Sequence, residues 1–190
     1  MKNREAWGKL RDMAEAKTIP YALRIATPQE VSILPAIEMA SAQRFHNSMH
    51  PAAADGQPIS EGLHARWLMH DGVWVAESPR GEIAAFVDWI PLAFDMYVVE
   101  LDVHPDHAGK KLGSQLLDAL AEFGGRLGFE RMVLRTFRDV PWNEPYYRRL
   151  GFEPLEGIEE HAELANIRAQ EASVGLDDSQ RSTLYRMIRA

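Results

Sequence analysis

The sequence predicts one α/β (α+β) domain over residues 21–190, a sheet of about six to seven strands flanked by helices, preceded by a helical arm of residues 1–20. Three observations predict it. Segments of period two, rich in β-branched residues, interleave with segments of period 3.6 in the order β-α-α-β-β-β-α-β-α-β-(α)-β. One of the strands runs through a glycine-bearing loop straight into an amphipathic helix. Finally, 190 residues with 46% apolar and 26% charged side chains suit a single core of ordinary composition.

In the arm, Trp7, Leu10 and Met13 fall at helical spacing among charges, so a short amphipathic helix is expected. Its apolar stripe either packs on its own domain or supplies a homodimer contact. Pro20 separates the arm from an alternating strand, Tyr21 to Ala26, with Tyr21, Leu23 and Ile25 on one face. Thr27 as N-cap, Pro28 at the first helical position and Glu30 completing a capping box mark a helix start. That helix carries Val31, Leu34, Ile37 and Met39 towards Phe45. Residues 51–58 form a loop without period, and Ser60-Glu61 opens a second helix holding Leu63, Trp67 and Leu68.

Asp71-Gly72 turns the chain into a strand, Val73 to Ala76. After a second turn the run Ile83 to Ile90 is its antiparallel partner, stopped by Pro91. The next strand covers Phe94 to Val103 and ends at Pro105, which offers no N–H to a ladder. Leu112, Leu116, Leu120 and Ala121 share a face of the following helix, with Gly128 at its C′ position. Gly124 and Gly125 sit inside it, each costing about 1 kcal/mol relative to alanine, with no reason visible in the sequence. Met132 to Phe137 is a strand, and a turn leads to a short helix with Tyr146, Tyr147 and Leu150. Phe152 to Leu155 is a strand, Ile158 to Ser173 a helix with Leu164, Ile167 and Arg168, and Ser182 to Ile188 a strand that closes the sheet.

The loop between Val103 and the long helix carries Gly109 and Gly113 around Lys110 and Lys111. Glycines there let the backbone bend tightly and let a ligand reach the bare chain. The first N–H groups of the helix have no internal partners and carry the positive end of its dipole, so they suit an anion such as a phosphate. An ordinary βα turn with solvated lysines would show the same residues. The spacing is neither the P-loop nor the dinucleotide fingerprint.

Together with Asn143, the pair Tyr146-Tyr147 and Gly151-Phe152, this loop resembles the GNAT superfamily of acyl-CoA-dependent N-acetyltransferases. The loop is similar to the family's pyrophosphate loop, Q/R-x-x-G-x-G/A after a Val-x-Pro strand end, and the later residues to its closing motif. The resemblance spans the chain from about Arg24 to Phe152. Two positions depart from the pattern: Ala108 stands where Arg or Gln is usual, and Lys111 where the middle glycine is usual. The donors of such a cradle are main-chain N–H groups, which both changes leave in place.

The resemblance implies a mixed, mostly antiparallel sheet, splayed where an acyl-CoA enters. It implies that the pyrophosphate lies along His107, Ala108, Gly109, Lys110, Lys111, Leu112, Gly113 and Ser114. The pantetheine arm would then pair with the backbone of Leu101 and Val103, near Asn143 and Tyr146. It places the acceptor site over the first two helices, with Phe45 and His46 as contacts. Acetyl-CoA is implied as cosubstrate, with no metal, and a primary amine of a small molecule or peptide as acceptor.

Acetyl transfer from a thioester to an amine needs a base for the amine, stabilisation of the carbonyl oxygen and an acid for the departing thiolate. By the resemblance Tyr147 is that acid; taken alone it reads equally as a core tyrosine capping a helix. On the strand, Glu100, Asp102 and His104 lie at i, i+2 and i+4 and share a face, so Glu100 is the first candidate base and Asp102 the second. Their plain reading is a charged, solvated strand edge. His104, His107 and Asp102 match no zinc spacing, and Ser114 lacks the setting of a nucleophile. A catalytically silent acyl-CoA-binding module, acting as sensor or subunit, remains the alternative to an enzyme.

The absence of cysteine excludes disulfides, cysteine-ligated zinc and a thiol nucleophile, and fits a reducing, cytoplasmic setting. The N-terminus is too polar for a secretory signal, and no apolar run approaches the about 20 residues that span a bilayer. A net charge of −7 argues against nucleic acid as principal partner.

Overall fold

The computed structural model describes residues 21–155, 157 and 162–188; the expected arm and the first turn of the expected 158–173 helix lie outside them. Among the described residues there are seven strands, β1 (Ala22–Ile25), β2 (Val73–Glu77), β3 (Ile83–Leu92), β4 (Asp95–Val103), β5 (Arg131–Phe137), β6 (Glu153–Pro154) and β7 (Arg181–Met187). The α-helices are α1 (Leu34–Ala42), α2 (Glu61–Leu68), α3 (Leu112–Leu127), α4 (Glu144–Arg149) and α5 (Ala162–Ser173). The strands form one sheet in the order β1-β2-β3-β4-β5-β7-β6, antiparallel throughout except for β4 and β5. That pair is parallel because α3 carries the chain back across the sheet between them.

The parallel pairing is short. Asp95 to Val98 pair with Arg131 to Leu134, and there it ends. β4 runs on beside β3 to Val103, and β5 runs on beside β7 to Phe137, so the two strands diverge from one another. A bulge coincides with the parting: Trp89 faces Val98 and Asp88 faces Glu100, which leaves Val99 unopposed. An extra residue bends its strand and sharpens its twist, which turns the end of β4 away from β5.

Alternation along the strands sends side chains to two helical layers. Leu112, Leu116, Leu117 and Leu120 of α3 pack on Trp74, Val87, Met96 and Leu134 of one face. Leu34 and Ile37 of α1 cover Val73, Val75 and Phe86 on the other, and Leu164 of α5 covers Tyr97 and Val133 further along it. The glycine pair of α3 is half explained by this packing. A Cβ on buried Gly124 would overlap Met96 Sδ and come within 3.1 Å of Ile188 Cδ1, so that position is kept small by the sheet beneath it.

Four expectations are corrected. Pro91 does not stop β3, which continues to Leu92; β3 has no β2 partner beyond Asp88, and proline is tolerated at such an edge. The chain from Pro28 starts as a 3-10 turn and becomes α-helical only at Leu34. In α1 and α2, Met39 and Leu63 are exposed while Ser41 and His64 are buried, and beneath His64 lies the buried carboxylate of Asp88. Last, β7 does not close the sheet: it inserts between β5 and the short edge strand β6.

Replacing Gly124 by alanine is expected to destabilise the chain by about 1–2 kcal/mol, as overpacking outweighs the gain in helix propensity. Gly125→Ala, at a partly exposed position, is expected to be neutral or stabilising. Urea unfolding of the two variants measures the contrast.

Candidate active site

The loop from β4 to α3 is shaped by left-handed residues. Gly109 (φ 76°) and Lys111 (φ 60°) both lie in that region, so Lys111 holds the backbone shape that glycine adopts freely. Among the described residues, the N–H groups of Gly109 to Ser114 meet no backbone acceptor; the first to do so is Gln115, which donates to Lys111 O at 3.1 Å. The carbonyls of the loop are occupied instead: Ser114 Oγ donates to Lys111 O (2.9 Å) and Gln115 Nε2 to Lys110 O (3.0 Å). The result is a row of free donors at the positive end of the sixteen-residue α3. Lys110 Nζ is drawn aside, donating to Tyr21 Oη at 2.8 Å. Gly113 is held small by Tyr146, whose Oη would lie 2.8 Å from an added Cβ.

The cradle opens into a cavity of about 1160 Å³ that occupies the gap between the diverging ends of β4 and β5. Every site residue expected from the sequence lines it except Ser114 and His46. His46 turns to Gln43 Oε1 (3.1 Å) and faces Asp55, whereas its neighbour Phe45 packs its ring against Phe137 and Trp142 inside the cavity. Asn143 caps α4 through its carbonyl, which accepts from the N–H groups of Tyr146 (2.8 Å) and Tyr147 (3.0 Å). That cap fixes the two tyrosines in the wall.

Glu100 and Asp102 are not a solvated edge. Cross-strand pairing with Asp88 and Phe86 puts both on the sheet face covered by α1. Burial raises the Asp102 carboxyl well above the usual range, and the neighbouring charge of Glu100 adds to it. Burial likewise raises Glu100. A third carboxylate, Glu38 of α1, joins them; it accepts the Ile59 N–H at 2.9 Å and is raised to about 7 by burial and then by Glu100. Beneath, His64 Nδ1 meets Asp88 Oδ2 at 2.8 Å with both side chains fully buried. Desolvation in the wall and then the Glu100 charge raise the Tyr147 hydroxyl, so it stays protonated at neutral pH.

Sequence reasoning missed Glu38, Arg44, His50 and Trp142, all of which line the cavity. Glu38 sits between Ile37 and Met39 of an amphipathic helix, where a glutamate reads as solvated. Arg44 lies 5.8 Å from the ring centroids of both Phe45 and Trp142. His50 stacks on Phe137 (4.1 Å, 17°) with its Nε2 at 2.7 Å from Asp139 Oδ1. These contacts join loops remote in sequence, and no local pattern marks them.

Residues 40–152, more than half of the chain, match the family model described as Acetyltransferase (GNAT) family, and the chain belongs to that family. The fold agrees with solved structures at low identity. PaiA N-acetyltransferase from Thermoplasma acidophilum, in complex with coenzyme A, superposes with a TM-score of 0.65 at 12% identity, covering 89% of this chain and 99% of that one. N-acetylglutamate synthase from Neisseria gonorrhoeae, complexed with coenzyme A and N-acetyl-glutamate, gives 0.67 at 14% identity over 90% of this chain and 35% of that one. In sequence, an amino-acid acetyltransferase from Aeromonas salmonicida (strain A449) is 37% identical over 54 residues, 28% of this chain and 11% of that protein. The chain thus spans about a tenth of this curated relative's length.

Glu38 makes stability depend on pH. Its carboxyl rises from 4.5 to about 7 on folding, so the folded chain binds that proton more tightly and loses stability as pH climbs through this window. Glu38→Gln keeps an acceptor for Ile59 and cannot ionise. It is expected to match the parent at pH 5 and exceed it at pH 8 by on the order of 1 kcal/mol, the linkage value discounted for partial solvation. Thermal melts of the free chain at the two pH values check this.

Proposed function

We propose that the chain is an N-acetyltransferase that moves the acetyl group of acetyl-CoA to a primary amine of a small molecule or peptide by direct attack. The observation that carries this reading is one cavity joining the free N–H groups of Gly109 to Ser114, the unpaired edges of β4 and β5, Tyr147 and a buried row of carboxylates. Backbone donors at a helix N-terminus fit a pyrophosphate, and the open edge of β4 at Leu101 and Val103 fits the amides of a pantetheine arm as an added strand would. The coenzyme A named in the two solved relatives supports the choice of donor. Their differing names leave the acceptor to this chain's own residues.

In this reading Glu100 takes a proton from the ammonium, with Asp102 as the second candidate. The neutral nitrogen attacks the thioester carbonyl carbon, the C–S bond breaks, and Tyr147 protonates the departing sulfur. The nitrogen's second proton, lost as the amide forms, restores Tyr147. The two groups are electrostatically linked: the charge of Glu100 is the second cause holding the tyrosine's pKa up. Protonating Glu100 removes that charge and makes Tyr147 a better acid for the step that follows.

A thiol-release assay over a panel of amines tests the activity. Tyr147→Phe keeps the ring packing and is expected to lower turnover by about 10²–10⁴-fold, with coenzyme A affinity nearly unchanged by calorimetry. Glu100→Gln is expected to slow the reaction most near neutral pH, with partial recovery at high pH where the amine is already neutral. Gly113→Pro removes one cradle donor and distorts the loop, and is expected to weaken coenzyme A binding. A chain that binds coenzyme A yet releases thiol with no amine is a silent module instead.

A further inference from the structure

The basic side chains that line the cavity fall into two sets. Lys110 and Lys111 belong to the anion cradle, and Lys110 is further tied to Tyr21. Arg135 is committed on three sides, to Glu171 (2.7 Å), Asp178 (2.6 Å) and Thr183 (2.8 Å), and Arg181 is bound to Glu171 at 3.0 Å. His50 is held by Asp139. Arg44 is different. Among the described residues no carboxylate lies within ion-pair distance of it, although it lines the same cavity as Glu38, Glu100 and Asp102.

Arg44 is exposed to solvent where it lines the cavity, with two aromatic rings beside it and, among the described residues, no counterion. Phe45 and Trp142 each lie 5.8 Å from its guanidinium carbon, and both rings line the cavity. Aromatic neighbours restrain a guanidinium through its face and leave the N–H groups on its edge to find another partner. That edge is a planar fork matched to a carboxylate, which it grips with two parallel hydrogen bonds. The arginine also belongs electrostatically to the reaction centre, since its charge acts on Glu100, Asp102, Tyr146 and Tyr147 alike.

The opposite sign is gathered on less exposed residues of the same cavity. Glu38, Glu100 and Asp102 contribute three carboxyl groups, and among the described residues none of them has a cation within ion-pair distance. A cavity lined both by carboxyls without a paired cation and by an arginine without a paired anion is complementary to a zwitterion. A diamine would set its second ammonium against Arg44. A simple alkylamine would leave the arginine with no counterion. We infer that the acceptor is a free amino acid, its ammonium received by the carboxylates Glu38, Glu100 and Asp102 and its carboxylate received by the edge of Arg44. The aromatic group of Phe45, Phe137 and Trp142 then offers apolar surface to the rest of the acceptor. This deepens the acetyltransferase reading and rests on it for the chemistry, though not for the binding.

Binding and turnover are measured separately for that reason. The full chain, saturated with coenzyme A, is titrated calorimetrically with free L-amino acids, their carboxamides and 1,4-diaminobutane. At least one amino acid is expected to bind about tenfold or more tightly than its own carboxamide, the value of one charge-assisted contact. Arg44→Gln is expected to abolish that preference, and Arg44→Lys, which keeps the charge and loses the fork, to retain part of it. Coenzyme A affinity should be the same in all three proteins, which also shows that the variants are folded. Carboxamides or the diamine binding as well as the acids, no amino acid binding at all, or a preference that survives Arg44→Gln, would each overturn the inference. An amino acid that binds with the expected preference but releases no thiol from acetyl-CoA would overturn the proposed activity and leave standing the amino-acid site, as a site for a ligand.

Discussion

The parting of β4 from β5 is the constraint on which the rest of this structure depends. Two parallel strands that pair for four residues and then separate leave a run of backbone donors and acceptors without a strand to meet. A sheet interior does not tolerate this unless something else supplies the partners, because an unpaired buried backbone group carries a penalty comparable to a lost hydrogen bond. The bulge at Val99 coincides with the separation, and α3 packs on one side of the sheet and α1 on the other. The gap is therefore a built feature of the sheet. It aligns with the free N–H groups at the start of α3, so one continuous track of unmet hydrogen-bonding groups runs from the cradle into the cavity.

The gap also explains how groups from opposite faces of the sheet act together. Tyr147 packs with Phe152 in the layer beneath α3, whereas Glu100 and Asp102 face α1. In a closed sheet the backbone would divide them. Here the strands have separated, and the carboxylate charge is felt at the tyrosine hydroxyl. Low dielectric strengthens every such influence, and it also makes several like charges in one place costly. Raised carboxyl pKa values at Glu38, Glu100 and Asp102 are how that cost appears, and a raised pKa makes the ionised form of each a stronger proton acceptor.

Elsewhere in the sheet and along one wall of the cavity, ion pairs do the structural work that apolar packing leaves undone. Arg24 clamps β1 to the start of the first helical segment through Glu30 (2.6 Å) and to β2 through Glu77 (2.6 Å), and holds the Glu30 carboxyl down at about 2. Arg135 plays the same part for α5, reaching Glu171 and Asp178 from β5. These arginines are saturated, and that saturation sets Arg44 apart.

Much of the fold was legible in the chain itself. Period two and period 3.6 mark the strands and helices because a half-buried element must put its apolar residues on one face, a local requirement written in consecutive residues. The glycine-flanked loop before α3 and the Tyr146-Tyr147 pair were legible for the same reason: they form a pattern of residue types and spacing within a few positions. What tertiary structure alone decided was the company each residue keeps. Gly124 is small because Met96 and Ile188, distant in sequence, press on it. Glu100 and Asp102 read as a solvated edge until α1 is laid over them, and Glu38 enters the site only because that helix turns it inwards. Arg44 and His50 come from the connection between α1 and α2 and Trp142 from that between β5 and α4, and nothing within either stretch records that they meet at one cavity. Periodicity encodes which side of an element is buried; it carries no information about which charges, brought from elsewhere in the chain, wait on that side.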